Sequence, residues 1–144
     1  MPEPIVLDTS GLLAAIDASQ RKHTEAREVL EHTEAALLLS PFVLAELDYL
    51  LATKVGAREE LALLDEVERG AYRLEPFSAA DVSHARHIIE RYADLSLGLA
   101  DASNLVLCYR HATHNILTLD ERHFRATLGP GDKPLHLLPA DRQQ

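Results

Sequence analysis

The segment Pro4-Ile5-Val6-Leu7-Asp8-Thr9-Ser10-Gly11 decides the fold that we predict for this chain. Its apolar run is too short for a helix and is bounded by a proline and by a polar, turn-forming run, which is typical of a buried strand. The strand ends in a carboxylate, Asp8. In an open parallel α/β sheet, ligands bind in the crevice outside the carboxyl ends of the strands. Asp8 is therefore the first candidate for a functional residue.

Four further segments have strand character, and the pattern between them is helical. The predicted strands are 35–39, 72–76, 115–120 and 135–139, and the predicted helices are 11–16, 21–32, 42–55, 57–69, 78–95, 99–114 and 121–128. In the helix over 57–69 we expect Leu61, Leu64 and Val67 to face inward. Alternation of strands and helices predicts a parallel sheet covered on both faces. We expect one domain over residues 1–144, with its last few residues disordered.

The composition is that of a globular intracellular protein. The 144 residues are 47% hydrophobic, no apolar run is long enough to span a membrane, and the N-terminus lacks the basic flank of a signal peptide. We therefore expect a cytoplasmic protein without membrane contact. Cys108, the single cysteine, is expected to be a buried thiol. The net charge of −9 argues against a broad electrostatic footprint for nucleic acid, but carboxylate-held metal ions can still draw a phosphate in.

Four acidic residues are candidates for one shared site. Asp8 and Asp120 each follow a predicted strand, while Glu46 and Asp101 each lie early in an apolar helix. Taken singly, the two strand-end residues could be helix N-caps, and the two helix residues could point into solvent. Taken together, all four fall where they could face the same edge of the sheet. Converging carboxylates suit Mg²⁺ or Mn²⁺, which can stabilise an in-line displacement at phosphorus, so the pattern favours metal-dependent phosphodiester hydrolysis.

Three polar residues lie close to these acids in the sequence. Asn104 follows Asp101 by three positions on the same helix face, and Ser10 and Thr118 each lie two positions from a strand-end acid. Each could orient a carboxylate or contact a metal-bound water. An ordinary cap or turn hydrogen bond is the interpretation that we prefer for all three.

Four motifs in order give the chain a family resemblance. They are Val6-Leu7-Asp8-Thr9-Ser10, Pro41-Phe42-Val43-Leu44-Ala45-Glu46-Leu47, Leu97-Gly98-Leu99-Ala100-Asp101-Ala102 and Ile116-Leu117-Thr118-Leu119-Asp120-Glu121-Arg122-His123-Phe124. The sequence resembles the PIN domain, and more narrowly the VapC-type ribonuclease toxins of toxin–antitoxin pairs. The resemblance implies a three-layer α/β/α fold with a central parallel sheet of four to five strands.

The resemblance also implies a function and a site. Asp8, Glu46, Asp101 and Asp120 fall on the family's acidic quartet, which implies cleavage of RNA by metal-activated water with Mg²⁺ or Mn²⁺. In this scheme Asp8, Asp101 and Asp120 hold the metal, and Glu46 completes its shell or helps to activate water. The resemblance further implies a homodimer inhibited by a small antitoxin. Apolar positions between Phe42 and Arg69 could contact either partner.

Other patterns give weaker alternatives. The spacings His84-x-x-His87 and His111-x-x-His114 could serve a metal but lack a third ligand, so we interpret them as helix-surface residues. Arginines are candidate phosphate contacts, and Arg122 and Arg125 are the pair to test first; the others are Arg86, Arg91 and Arg110. A phosphoaspartate enzyme would need a second acid two positions after Asp8, where Ser10 stands. The non-enzymatic alternative is a protein-binding module with a PIN-like fold, whose acids only cap helices.

Overall fold

A computed structural model describes residues 2–142 of the chain, so the end of the predicted disordered tail, residues 143 and 144, lies outside the described residues. The strands are β1 (Ile5–Leu7), β2 (Leu37–Leu39), β3 (Arg73–Leu74), β4 (Asn115–Leu117), β5 (Leu128–Gly129), β6 (Lys133–Pro134) and β7 (His136–Leu138). The helices are α1 (Thr9–Ile16), α2 (His23–His32), α3 (Pro41–Leu50), α4 (Ala57–Glu68), α5 (Ala79–Arg91), α6 (Leu99–His111) and α7 (Glu121–Arg125).

A five-stranded parallel sheet forms the centre of the fold, in the order β3-β2-β1-β4-β7. In its register Leu7 lies between Leu39 on one side and Leu117 on the other. β2 and then β3 are added on one side of β1, and the chain then crosses back to place β4 on the opposite side of β1. The switch point of the sheet therefore lies between the carboxyl ends of β1 and β4, where Asp8 and the segment after Leu117 begin. The predicted parallel sheet is confirmed.

Each strand contributes side chains to two separate cores, because successive side chains of a strand point to opposite faces. Ile5 and Leu7 pack with α1 to α4 on one face, whereas Val6 packs with α5 and α6 on the other. The middle strands are buried on both faces, as expected for a parallel sheet between helical layers. The predicted three-layer α/β/α architecture is confirmed.

Gly11 allows α1 to start directly against β4. A Cβ atom at this position would lie 2.8 Å from the backbone nitrogen of Thr118 and closer still to the Leu117 carbonyl oxygen, so no side chain fits here unless the backbone moves. The backbone N–H of Asp8 also donates to the Leu117 carbonyl, at 3.0 Å. The end of β1, the start of α1 and the end of β4 are therefore held together.

Several local predictions differ from the structure. Leu61 and Leu64 are exposed, and Leu63 is the buried leucine of α4, so the inward positions predicted for these two leucines are wrong. Val67 packs against the core as predicted. The helix predicted over 42–55 ends as α3 at Leu50 and continues as a π-helical turn, Leu51–Val55. The two-stranded antiparallel pair β5–β6 was not predicted, because its strands are too short to show a pattern.

Two predictions from composition can be compared with the structure. Cys108 is fully buried in α6, and burial raises the pKa of its thiol, so it is the inert core residue that we expected. Within residues 2–142, the structure contains no helix that combines the length and the apolar character needed to cross a membrane.

Candidate active site

Asp8 is a buried carboxylate with three side-chain hydrogen bonds. It stands directly after β1, and only 5% of the residue is exposed. Its Oδ2 atom accepts from the Ser10 hydroxyl at 3.0 Å and from the Thr118 hydroxyl at 2.8 Å, and its Oδ1 atom accepts from the Asn104 amide at 3.0 Å. Its side chain makes no capping hydrogen bond to α1. The carboxylate is therefore held by side chains from three segments of the chain, and the alternative that Asp8 serves as a helix cap does not fit the structure.

Backbone N–H groups orient the two hydroxyls that donate to Asp8. Ser10 Oγ accepts from the N–H of Leu119 at 2.9 Å, and Thr118 Oγ1 accepts from the N–H of Asp120 at 2.9 Å. Because each hydroxyl oxygen receives a donor from the backbone, its own proton is free to point at Asp8. The cap or turn bond expected for Ser10 is wrong, while Thr118 makes the expected turn bond and donates to Asp8 as well.

Asn104 completes this set from within α6. Its side chain is fully buried, its amide donates to Asp8, and its Oδ1 atom has no hydrogen-bond partner among residues 2–142. The cap or turn bond expected for Asn104 is therefore also wrong. A buried amide oxygen without a donor is costly, so this atom has capacity for a further ligand in the site.

Asp101 and Asp120 meet around the ring of His123. Asp101 lies in the first turn of α6, and Asp120 caps α7 by accepting from the N–H of His123 at 3.1 Å through Oδ1. The Nδ1 atom of His123 lies 2.9 Å from Asp120 Oδ2 and 3.3 Å from Asp101 Oδ2. All three residues are partly buried, and one potential ligand atom from each lies within 4.8 Å of the others.

Electrostatic effects connect this cluster to the other two predicted acids. Burial raises the pKa of Asp8 from 3.8 to about 6, with the Thr118 hydrogen bond acting against the rise and the charge of Asp101 adding to it. Burial also raises the pKa of Asp101; His123 opposes this rise, whereas Asp120 and Glu46 reinforce it. Glu46 itself is exposed on α3. The structure thus brings Asp101 and Asp120 to ligand spacing, and it places Asp8 and Glu46 outside that group but near enough for charge interactions with Asp101.

His123 is the residue of the cluster that was not predicted from the sequence. The available signal was the spacing Asp120-Glu121-Arg122-His123, in which positions i and i+3 share one face of a short helix. Its contact with Asp101 joins segments that are far apart in the sequence, and only the fold shows it.

The weaker candidate residues have other roles. The paired histidines form no metal cluster in the described part of the chain, where the one group with ligand spacing is Asp101, Asp120 and His123. Four of the five candidate arginines pair with carboxylates; Arg125, for example, binds Asp141 at 2.6 Å and Glu121 at 3.0 Å. Arg122 is exposed and, among residues 2–142, has no carboxylate within 4.0 Å. Of the pair that we would test first, Arg122 is thus the available cation.

A cleft of about 330 Å³ lies beside the segment around Asp120, although Asp120 itself does not line it, and two of its lining residues are basic. Arg21 and Lys22 approach it from the loop between α1 and α2. Lys22 contacts Glu25 at 3.5 Å, whereas Arg21 is exposed and has no carboxylate within 4.0 Å in the described chain. The other lining residues are Glu25, Thr118, Leu119, Glu121, Pro139 and Ala140.

The donor atoms of the cluster fit a divalent cation. Carboxylate oxygens are the ligands that Mg²⁺ and Mn²⁺ prefer, and the unpartnered Asn104 oxygen adds another oxygen donor nearby. Burial is the main cause of the raised pKa values of Asp8 and Asp101, and repulsion by a neighbouring acid adds to both: Asp101 acts on Asp8, and Asp120 acts on Asp101. A bound cation would relieve this repulsion.

Comparison with known proteins identifies one family over most of the chain. The PIN domain family model matches residues 5–128. Ribonuclease VapC26 of Mycobacterium tuberculosis is 44% identical over 135 residues, which is 94% of this chain and all of that protein.

Solved structures show the same fold. The crystal structure of Mycobacterium tuberculosis VapC20, described as a Sarcin-Ricin loop cleaving toxin, has a TM-score of 0.75 and 22% identity, covering 81% of this chain and 89% of its own. VapBC2 from Rickettsia felis, bound to a DNA fragment from its promoter, has a TM-score of 0.58 and 20% identity, covering 92% and 97%.

Proposed function

Because this chain belongs to the PIN domain family, we propose that it is a metal-dependent endoribonuclease and the toxin of a VapBC-type toxin–antitoxin pair. The similarity to Ribonuclease VapC26, which extends over that protein's full length, supports this activity. The observation that carries the proposal is the meeting of Asp101 and Asp120 beside the buried Asp8 at the switch point of the sheet.

In the proposed site, Asp8, Asp101 and Asp120 hold Mg²⁺ or Mn²⁺, and Glu46 completes the set. The cation, when bound, supplies charge that polarises the phosphodiester and activates water for attack on phosphorus. Glu46 is exposed and near enough for its charge to act on Asp101, and its proposed role is to orient a water molecule or to accept its proton.

The hydrogen bonds around Asp8 give this carboxylate a fixed orientation. Ser10, Thr118 and Asn104 occupy both of its oxygens and leave it little rotational freedom. Groups that donate hydrogen bonds to a metal-binding carboxylate set its orientation and the affinity of the site for the metal. These three are positioning residues, since each acts through Asp8.

RNA enters the proposed site despite the net charge of −9 because basic residues lie beside it. Arg21 and Lys22 line the cleft together with Thr118 and Leu119, and Arg122, at the start of α7, is exposed. Lys and Arg side chains bind the phosphate backbone independently of sequence. We propose that the RNA backbone lies in this cleft.

The proposed partners are a small antitoxin and a second copy of the chain. The proposed location of all of them is the cytoplasm. Large apolar side chains are exposed on α3 and α4: Tyr49 is 65% exposed, Leu61 63% and Leu64 38%. Exposed apolar residues that form a patch are typical of protein-binding surfaces, so α3 and α4 are the elements that we propose for these contacts. The likeness in fold to VapBC2 from Rickettsia felis supports an antitoxin as one of these partners.

The experiment that tests the proposed function is sequencing of RNA 5′ ends in bacteria after induction of the chain. We expect new 5′ ends with the wild type and none with Asp8→Asn, which removes the buried charge. Asp17→Asn is the matched control, because Asp17 is an aspartate at the end of the same helix whose bonds are to Ser19 and Gln20. If the new 5′ ends persist in Asp8→Asn, or if the folded wild type produces none, the protein-binding module would be favoured instead.

A further inference from the structure

His123 is positioned as a ligand of the cluster as well as a neighbour of its acids. Its Nδ1 atom is buried and makes no hydrogen bond with residues 2–142, although it lies 2.9 Å from Asp120 Oδ2 and 3.3 Å from Asp101 Oδ2. Both oxygens are close enough to Nδ1 for a hydrogen bond, but the angles do not allow one. The N–H or lone pair of Nδ1 is therefore not directed at either oxygen. The nitrogen therefore remains available to a further group that the two carboxylates also contact.

The separations agree with those of ligands that share one ion. Two neighbouring ligands at right angles, each about 2.1 Å from an ion, lie about 3.0 Å apart, and tetrahedral ligands about 3.4 Å apart. The two observed separations, 2.9 and 3.3 Å, fall at these values. A second, independent feature lies beside Asp8, whose pKa the charge of Asp101 raises: the fully buried Asn104 donates to Asp8 and has no partner for its own Oδ1 atom within the described residues.

We propose that His123 is a direct metal ligand through Nδ1, so that the site prefers Mn²⁺ to Mg²⁺. Imidazole nitrogen suits transition metals, whereas Mg²⁺ takes oxygen donors and water. The inference rests on the proposed function for the existence of a cation site and adds a nitrogen ligand and a selectivity to it. The ring is well placed to serve, since α7 begins directly after Asp120 and the spacing of three puts both residues on one face.

The test is pulsed electron paramagnetic resonance of the full chain loaded with Mn²⁺ alone. We expect modulation from a directly bound ¹⁴N nucleus in the wild type, replaced by the ¹⁵N pattern when the protein is made with ¹⁵N-histidine. In His123→Gln we expect the nitrogen signal to be lost and the Mn²⁺ affinity to fall at least about tenfold by calorimetry, with the Mg²⁺ affinity changed much less. His87→Gln is the control, because the one hydrogen bond of the His87 ring in the described part of the chain is to the Ser83 carbonyl of its own helix.

The two ways in which the test can fail are distinguishable. Mn²⁺ that binds with no nitrogen signal, or a signal that survives in His123→Gln, overturns the role of His123 and leaves the proposed nuclease intact. Absence of Mn²⁺ binding to the wild type overturns both. Because the labelled wild type alone decides whether a histidine binds, the test does not depend on the folding of a variant.

Discussion

Asp8→Asn is expected to stabilise the metal-free protein while it removes the proposed activity. The Asp8 carboxylate is 5% exposed, and its pKa is raised from 3.8 to about 6, chiefly by burial. At about 1.36 kcal/mol for each pKa unit, the ionised form costs the folded state about 3 kcal/mol at neutral pH. Asparagine has nearly the same shape and no charge, and its NH2 group can donate to Asn104 if the Asn104 amide turns its unpartnered Oδ1 atom toward it. The free energy of unfolding should therefore rise by up to about 3 kcal/mol.

The pH dependence has a definite sign. Because the folded state holds the Asp8 proton more tightly than the unfolded state, wild-type stability falls as the pH rises from about 4 to about 6 and is level above that. The advantage of Asp8→Asn should therefore be largest at about pH 7.5 and shrink to about half at about pH 5.

Urea unfolding in the presence of EDTA, at about pH 7.5 and about pH 5, measures both effects. Asp141→Asn is the control of opposite sign: Asp141 binds Arg125 and the N–H of Leu137, which hold its pKa at about 2, so its loss should destabilise the fold. The burial argument would be wrong if Asp8→Asn were less stable than the wild type at the higher pH, or if its advantage were equal at the two pH values.

Three further predictions concern the fold, the cleft and the core. Gly11→Ala should lower the melting temperature strongly, because its Cβ would lie 2.8 Å from the Thr118 nitrogen and closer to the Leu117 carbonyl; Gly98→Ala, with open space around it, should not. Arg21→Gln should reduce kcat/KM for RNA by several-fold and weaken its salt dependence, as expected for the loss of one phosphate contact, and equal values at all salt concentrations would contradict this role. Cys108 should react with a thiol reagent in urea but not in the native protein, because burial raises the pKa of its thiol.

The order of strands and helices was predictable from the sequence because it depends on local patterns. The apolar run before Asp8 and its counterpart before Asp120 both form strands that pair with each other, and the four motifs indicated the PIN family that the comparison confirms. The orientation of α4 was not predictable in the same way. Leu61, Leu63 and Leu64 define two alternative apolar faces, and packing in the core shared with α1 to α3 selects the face with Leu63.

The sequence predicts the convergence of the acids only where that convergence follows from the order of the strands. The position of Asp8 and Asp120 at neighbouring strand ends follows from the switch point of a wound sheet. The hydrogen bonds from Asn104 and Thr118 to Asp8 span 96 and 110 positions of sequence, so a local pattern cannot reveal them. The contact of His123 with Asp101 depends on the same long-range packing.

Anomalous diffraction from crystals soaked in Mn²⁺ is the measurement that decides whether acids distant in the sequence meet to bind one divalent cation. We expect an anomalous peak within bonding distance of carboxylate oxygens of both Asp101 and Asp120, and the loss of that peak in Asp101→Asn. Well-diffracting crystals in which Mn²⁺ binds elsewhere, with no peak between these two residues, would contradict the proposed site.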